Sequence, residues 1–272
     1  MMAADWVDRV LAQRQDNRPL VLFFDYDGTL TPLVSHPKNA VLAESTREAL
    51  AALAATKGIT LGAISGRALD WLKASIGLSD VWYAGSNGMH IDLGTEEWID
   101  PTVAEFEPLV DPLREALSGP IRWFPGTWIE RKPGCLTVHY RALLPLMAAC
   151  FLDEVNDMLD GIRPDCPPLR VRTVSSAMEI ALAASSTKGN AIEWMLERTN
   201  PEAFTMFACD GANDEEAVAA IKAVGGLTVG VGPEAPAEVA LRVATTRDFT
   251  ADLARLAAEV AERNAGHTVN AH

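Results

Sequence analysis

The sequence predicts an α/β fold: a doubly wound, mostly parallel sheet, interrupted by an inserted, smaller α+β domain. Three observations predict it. Over the first hundred residues, short apolar runs alternate with helix-patterned segments, the signature of parallel strands joined by helices. Near Ile99–Pro112 the texture changes, and from Ile121 it turns to strands that carry charge on one face, as in an antiparallel sheet with one wet side. From Gly189 the alternation of helix and strand resumes. The expected boundaries place a split core in residues 1–107 and 186–272 and an inserted cap in residues 108–185.

Each element has a local reason. Trp6, Val7, Val10 and Leu11 recur at helical spacing. The run Val21-Leu-Phe-Phe ending in Asp25 is branched and aromatic, as a buried strand requires. Val41–Ala55 is rich in alanine and leucine and reads as a helix, Thr60–Ile64 as a second strand, Ala68–Ile76 as a helix and Val81–Ala84 as a third strand. Prolines and acidic residues cluster between Ile99 and Pro112. Strand alternation is expected from Ile121 to Arg141, carried by Trp128–Lys132 and Cys135–Arg141. A helix follows around Leu146–Leu159, then strands Leu169–Val174 and Ala177–Leu182. The core returns with helix Gly189–Arg198, strand Phe204–Cys209, helix Asp214–Val224, strand Leu227–Val231 and helix Thr250–Arg263. The polar stretch Asn264–His272 is expected to be irregular.

Composition narrows the function. The chain has 272 residues and a net charge of −14, which argues against nucleic acid or an anionic membrane as partner. An anionic substrate would then need local positive charge working against the global field. Cys135, Cys150, Cys166 and Cys209 form no C-x-x-C pair, so reduced thiols and a cytoplasmic setting are expected. Met1–Arg18 has no apolar core of a secretory signal, and the longest apolar stretch, Ala142–Leu152, is too short to span a bilayer.

The most informative segment is Asp25-Tyr-Asp27-Gly28-Thr29. Carboxylates at the carboxyl end of a parallel strand lie where open α/β sheets bind ligands. One can act as nucleophile while the other gives and takes a proton, and together they suit magnesium. Two aspartates before a glycine can also simply close a turn. A calcium loop is excluded, because glycine falls at the fourth position of the motif and His36 at the twelfth. Ser65-Gly66-Arg67 follows the second strand, where a hydroxyl and a glycine N–H make a phosphate cradle, although S-G-R is also a common turn. Thr29, Ser65, Gly66, Arg67 and Lys188 are the expected phosphate-binding residues. Lys188 opens a helix after Ser185-Ser-Thr187, which can supply an N-cap; a lysine at a helix start is otherwise ordinarily exposed. Asp210-Gly-Ala-Asn-Asp214 follows another apolar strand, a second carboxylate loop in the same sheet. Gly230-Val-Gly232 fits a dinucleotide pattern only superficially, since Pro233 removes a donor and the motif closes the chain's pattern rather than opening it.

In this order, D-x-D-G-T, S-G-R, K-G and D-x-x-x-D, the motifs resemble the haloacid dehalogenase superfamily of phosphohydrolases. Within it the chain is similar to the trehalose-6-phosphate phosphatase family, through Tyr26–Pro32, Trp82–Ser86, Glu130-Arg-Lys132, His139-Tyr-Arg141 and Glu179. The resemblance implies a Rossmann-like core with a cap. It makes Asp25 the nucleophile and Asp27 the general acid/base, with Mg2+ held by Asp25, Asp27 (through its carbonyl), Asp210 and Asp214. Glu130, Lys132 and Glu179 would contact the sugar. The implied reaction is hydrolysis of a sugar phosphate through an aspartyl phosphate, with trehalose 6-phosphate as first substrate. Another disaccharide or glycoside phosphate, a phosphomannomutase-like transfer and a non-catalytic sugar-phosphate sensor are the alternatives. The chain departs from the family pattern at Gly85-Ser-Asn87-Gly-Met-His90, after Glu179, and at Cys209 and Gly211-Ala-Asn213.

Overall fold

The computed structural model describes residues 5–14, 18–34, 39–162, 166–174 and 176–269; His36 lies outside them. The chain divides into two compact units, Met1–Trp98 with Thr187–His272, and Ile99–Ser186.

The first unit carries the parallel sheet. Its strands are β1 (Leu20–Asp25), β2 (Ile59–Ile64), β3 (Val81–Gly85), β4 (His90–Asp92), β5 (Glu97–Ile99), β10 (Phe204–Cys209), β11 (Leu227–Val231) and β12 (Leu241–Val243). Their spatial order is β12-β11-β10-β1-β2-β3-β4-β5. β1 pairs in parallel with both β2 and β10, and β4 runs antiparallel to β3. The chain therefore winds outward from β1 in one direction through β2 and β3, and in the other through β10 to β12. The switch point between the two windings falls at β1 and β10, where such sheets bind their ligands.

Alternation along β1 decides what each face meets. Leu20, Leu22 and Phe24 pack with helices α1 (Trp6–Arg14), α2 (Glu44–Ala54) and α9 (Thr246–Val269), through residues such as Val10, Leu53 and Phe249. Val21 and Phe23 meet the opposite face, with Ile192 and Met195 of α7 (Lys188–Leu196) and Val218 and Ile221 of α8 (Glu215–Ala223). Both faces are covered, so the strand needs apolar residues at every position. Asp25 follows Val21 and Phe23 at two-residue steps and so falls on the α7 face. Helix α3 (Leu69–Ile76) completes the β2–β3 crossover and ends at Gly77 in the left-handed conformation, φ 70°. α9 runs on to Val269 rather than stopping at Arg263.

The second unit is a four-stranded antiparallel sheet, β6 (Trp128–Lys132), β7 (Cys135–His139), β9 (Ala177–Leu182) and β8 (Leu169–Val174) in that order. One face buries Leu136, Val138, Met178 and Ile180 against α5 (Val110–Trp123) and α6 (Pro145–Ile162). α4 (Thr102–Phe106) adds Phe106 to the same core. Ile121–Trp123 corrects the sequence reading, because it forms the last turn of α5 and not a strand. Val110, Leu113 and Leu117 form the buried helical stripe. Pro112 sits in the first turn, where a missing N–H is tolerated. Pro120, in contrast, lies inside the helix, where it removes a backbone donor, so α5 runs through a residue that local propensity disfavours.

Candidate active site

Asp25 ends β1 and is buried. Facing it is Lys188, the first residue of α7. Lys188, Ala191, Ile192 and Met195 recur at helical spacing and all are buried, so the lysine belongs to the apolar stripe that packs on the sheet. A cation at a helix N-terminus opposes the helix dipole. It is held there by two carboxylates: Nζ donates to Asp25 Oδ1 at 2.7 Å and to Asp214 Oδ1 at 2.6 Å. Burial works against the lysine's charge, but Asp214 and Asp25 outweigh it and hold its pKa above the ordinary value. The helix start is fixed by Thr187, whose hydroxyl accepts from the Asn190 N–H at 3.4 Å while Asn190 Oδ1 accepts from the Thr187 N–H at 3.2 Å.

Asp210 follows β10, the neighbour of β1. Asp25, Asp210 and Asp214 each offer an oxygen within 4.8 Å of the others'. Burial pushes the Asp25 carboxyl up; Lys188 opposes this, and Asp214 and Asp210 add to it. Burial, with Asp214 next, pushes Asp210 to about 6. Gly28 makes room for this approach. It has φ 83°, and a Cβ there would lie 1.8 Å from Asp210 Oδ2. Three carboxylates against one lysine leave two uncompensated negative charges when all are ionised. Hard oxygen donors with that charge fit a divalent cation.

The carboxylate of Asp27 does not join this trio. Arg67 forks it, Nε donating to Oδ2 at 2.8 Å and Nη2 to Oδ1 at 2.6 Å. The guanidinium lies 4.2 Å from the centre of the Trp71 ring, and Trp71 meets Tyr26 edge-on at 5.3 Å. Arg67, expected on phosphate, thus occupies Asp27. Sequence reasoning passed over Trp71; its position four residues after Arg67, on the next helix, was the available signal. Ser65 is buried and its Oγ accepts from the Arg67 N–H at 3.2 Å. Gly66, between them, is half-buried. Thr29 is fully buried, and its hydroxyl has no hydrogen-bond partner among the described residues.

The Ser65 loop is pinned by the next one. Ser86 N–H donates to the Arg67 carbonyl at 2.6 Å and Asn87 N–H to that of Ser65 at 3.0 Å. Ser86 and Asn87 have φ 49° and 58°, and asparagine is among the few side chains that tolerate this region. That gives a backbone reason for Asn87, one of the departures from the family pattern. His90 is committed to Glu97, its Nε2 lying 2.6 Å from Oε1.

Glu130, Lys132 and Glu179 come together on one face of the small sheet. Lys132 Nζ donates to Glu179 Oε1 at 3.2 Å and lies 4.0 Å from Glu130 Oε2. Burial disfavours the Lys132 charge, yet Glu179 and Glu130 raise its pKa. Burial pushes the neighbouring Cys135 thiol up to about 12, and Cys209, also buried, is raised as well, so neither is a reactive thiol.

A family model described as trehalose-phosphatase matches residues 23–238. "Probable trehalose-phosphate phosphatase 4" of Oryza sativa subsp. japonica is 28% identical over 219 residues, covering 76% of this chain. The chain spans 57% of that protein's length. Among solved structures, the C-terminal domain of C. albicans trehalose-6-phosphate phosphatase superposes with a TM-score of 0.82 at 20% identity, over 95% of this chain and 98% of that one. A haloacid dehalogenase-like hydrolase from Bacteroides thetaiotaomicron gives a TM-score of 0.61 at 16% identity, over 88% and 100%. At such identities the likeness is one of fold. The family model, however, takes in every core motif from the Asp25 loop to Asp214, and the chain belongs to the trehalose-phosphatase family.

Proposed function

We propose that the protein is a magnesium-dependent phosphoric monoester hydrolase that converts trehalose 6-phosphate to trehalose and phosphate. The observation that carries this reading is the Asp25–Lys188–Asp214–Asp210 cluster at the switch point of the sheet, in a chain of this family. Asp25, Asp210 and Asp214 would hold the ion, with the Asp27 carbonyl. Once bound, the ion would offset charge on the phosphoryl oxygens.

The chain's own groups do the rest. Asp25 attacks phosphorus in line, and the bond to the sugar oxygen breaks as Asp27 delivers a proton to it. Water then attacks the phosphorylated Asp25 while Asp27 takes a proton back. Arg67 donates to both Asp27 oxygens, so one arm of this fork would have to open for the carboxyl to carry the proton in either transfer. Lys188 keeps Asp25 oriented and supplies positive charge beside the transferring group. Ser65 and Gly66 would cradle the phosphate, with Thr29 lining the loop. We assign recognition of the sugar to the second unit, through Glu130, Lys132 and Glu179. The four free cysteines agree with a cytoplasmic setting. Among the described residues no helix is long and apolar enough to cross a membrane.

Phosphate release over a panel of sugar phosphates, with and without chelator, tests the proposal. Trehalose 6-phosphate should lead the panel, and chelator should stop the reaction. Preference for another disaccharide phosphate would move the substrate while leaving the chemistry in place. Interconversion of hexose phosphates without phosphate release would replace hydrolysis by transfer.

A further inference from the structure

The polar face of the small sheet carries an aromatic group that the catalytic reading leaves unused. Strand register places Trp128, Glu130 and Lys132 of β6 opposite His139, Thr137 and Cys135 of β7, and Glu179 of β9 opposite Thr137. The other face of the same strands is the apolar core. β6 is an edge strand, and Trp128 is 41% exposed on it. Its ring lies flat on the His139 imidazole, with centroids 3.9 Å apart and planes 16° from parallel. His139 is itself anchored, Nε2–H donating to Glu130 Oε2 at 2.8 Å. Among the described residues His139 is the only ring stacked on this indole.

The arrangement has two chemical halves. One is a flat apolar surface whose orientation is fixed from below by an anchored imidazole. The other is a row of charged groups, Glu130, Lys132 and Glu179, on the same face. A pyranose ring matches both: its axial C–H groups form an apolar face that suits an indole, and its rim of hydroxyls pairs with carboxylates and an ammonium. A protein partner would be matched by an extended apolar patch, whereas the Glu130 carboxylate stands two residues along β6 on the same face.

We propose that the outer face of the Trp128 indole is the platform on which a pyranose ring of the substrate stacks, with His139 as the residue that positions it. This rests on the sugar-phosphate reading given above. Stacking would select the sugar, not the phosphate, so its loss belongs in KM for glycoside phosphates.

The test compares Trp128→Leu and Trp128→Phe with the wild type on trehalose 6-phosphate and on p-nitrophenyl phosphate, which lacks the sugar. For Trp128→Leu, KM for trehalose 6-phosphate should rise roughly tenfold, which corresponds to about 1.4 kcal/mol. The ratio of kcat/KM between the two substrates should fall by a similar factor. Phe keeps a smaller ring and should restore most of that ratio. Saturation-transfer NMR with unphosphorylated trehalose adds a readout without turnover: the wild type should show transfer to the sugar C–H protons, and Trp128→Leu should lose it. If the wild type hydrolyses trehalose 6-phosphate and Trp128→Leu leaves both KM and the ratio unchanged, the platform is wrong and the phosphatase stands. Equal losses on both substrates would assign Trp128 to the fold and also overturn the platform. If the wild type binds trehalose through Trp128 yet releases no phosphate, the hydrolytic reading fails while the platform holds. Neither binding nor hydrolysis would overturn both.

Discussion

Lys188 carries a charge that is very costly to bury alone, and its two partners are carboxylates whose own burial is equally unfavourable. The three are stable together because each removes the others' penalty. Removing the lysine should therefore be worse than removing one aspartate. Lys188→Ala, followed by urea unfolding in chelator, is expected to cost about 3–5 kcal/mol, since Asp25 and Asp214 are then left without a counter-charge. A cost near zero would mean that the carboxylates are protonated or hydrated in the metal-free protein. Asp25→Asn keeps the shape and loses the nucleophilic charge. It also relieves repulsion with Asp210 and Asp214, so the urea midpoint should move little while turnover drops on the order of 10⁴-fold or more. Phosphate release at wild-type rate by pure, undeamidated Asp25→Asn would remove Asp25 from the mechanism.

Elements hold these residues where no single side chain could. The turn after β1 brings the Asp210 carboxylate against its backbone, and this is possible only because Gly28 has no side chain there. Gly28→Ala adds strain at a positive φ, about 1–2 kcal/mol, and must push Asp210 away. Magnesium affinity by calorimetry should weaken at least roughly tenfold, a loss of about 1.4 kcal/mol. Unchanged affinity would show that Asp210 is not a ligand. On the small sheet, Lys132 and Glu179 are paired across strands with little solvent. Alanine at either position removes one partner of this buried pair, so a lost activity would mix stability with recognition. The double change Lys132→Met with Glu179→Leu replaces the pair by apolar residues of similar volume and should hold stability within about 1–2 kcal/mol. It should still lower kcat/KM for trehalose 6-phosphate far more than for p-nitrophenyl phosphate. Equal losses would make the pair a structural feature of the sheet.

For the whole molecule, the acidic cluster links stability to pH and metal. Asp210 titrates at about 6 when folded against 3.8 for the ordinary value. A carboxyl raised in the fold favours the native state below about pH 4, and that contribution is gone once pH exceeds 6. Magnesium needs the ionised form, so it should raise the melting temperature by several degrees at pH 7.5 and by much less at pH 5. Equal shifts at both values would contradict a carboxylate site. Much of this architecture was legible in the chain itself: β10, β11, β8 and β9 begin and end at the expected residues, and the carboxylate loops announce themselves because they end strands too apolar to be anything but buried. α5 was obscured because Pro120 lies inside it, a position that local propensity disfavours and that the packing of Val110, Leu113 and Leu117 overrides. The catalytic motifs could likewise be found by residue type and order, since strand, turn and helix propensities act locally. What those residues touch could not. Residues 163 positions apart in sequence, Asp25 and Lys188, meet because β1 lies beside β10 with α7 across its face. Arg67 could have met a phosphate or a carboxylate by its sequence position, and the fold chose Asp27. The residue types and their order determined which chemistry is available; the tertiary structure decided which charges are buried together, because burial and distance, not identity, set the strength of an electrostatic interaction.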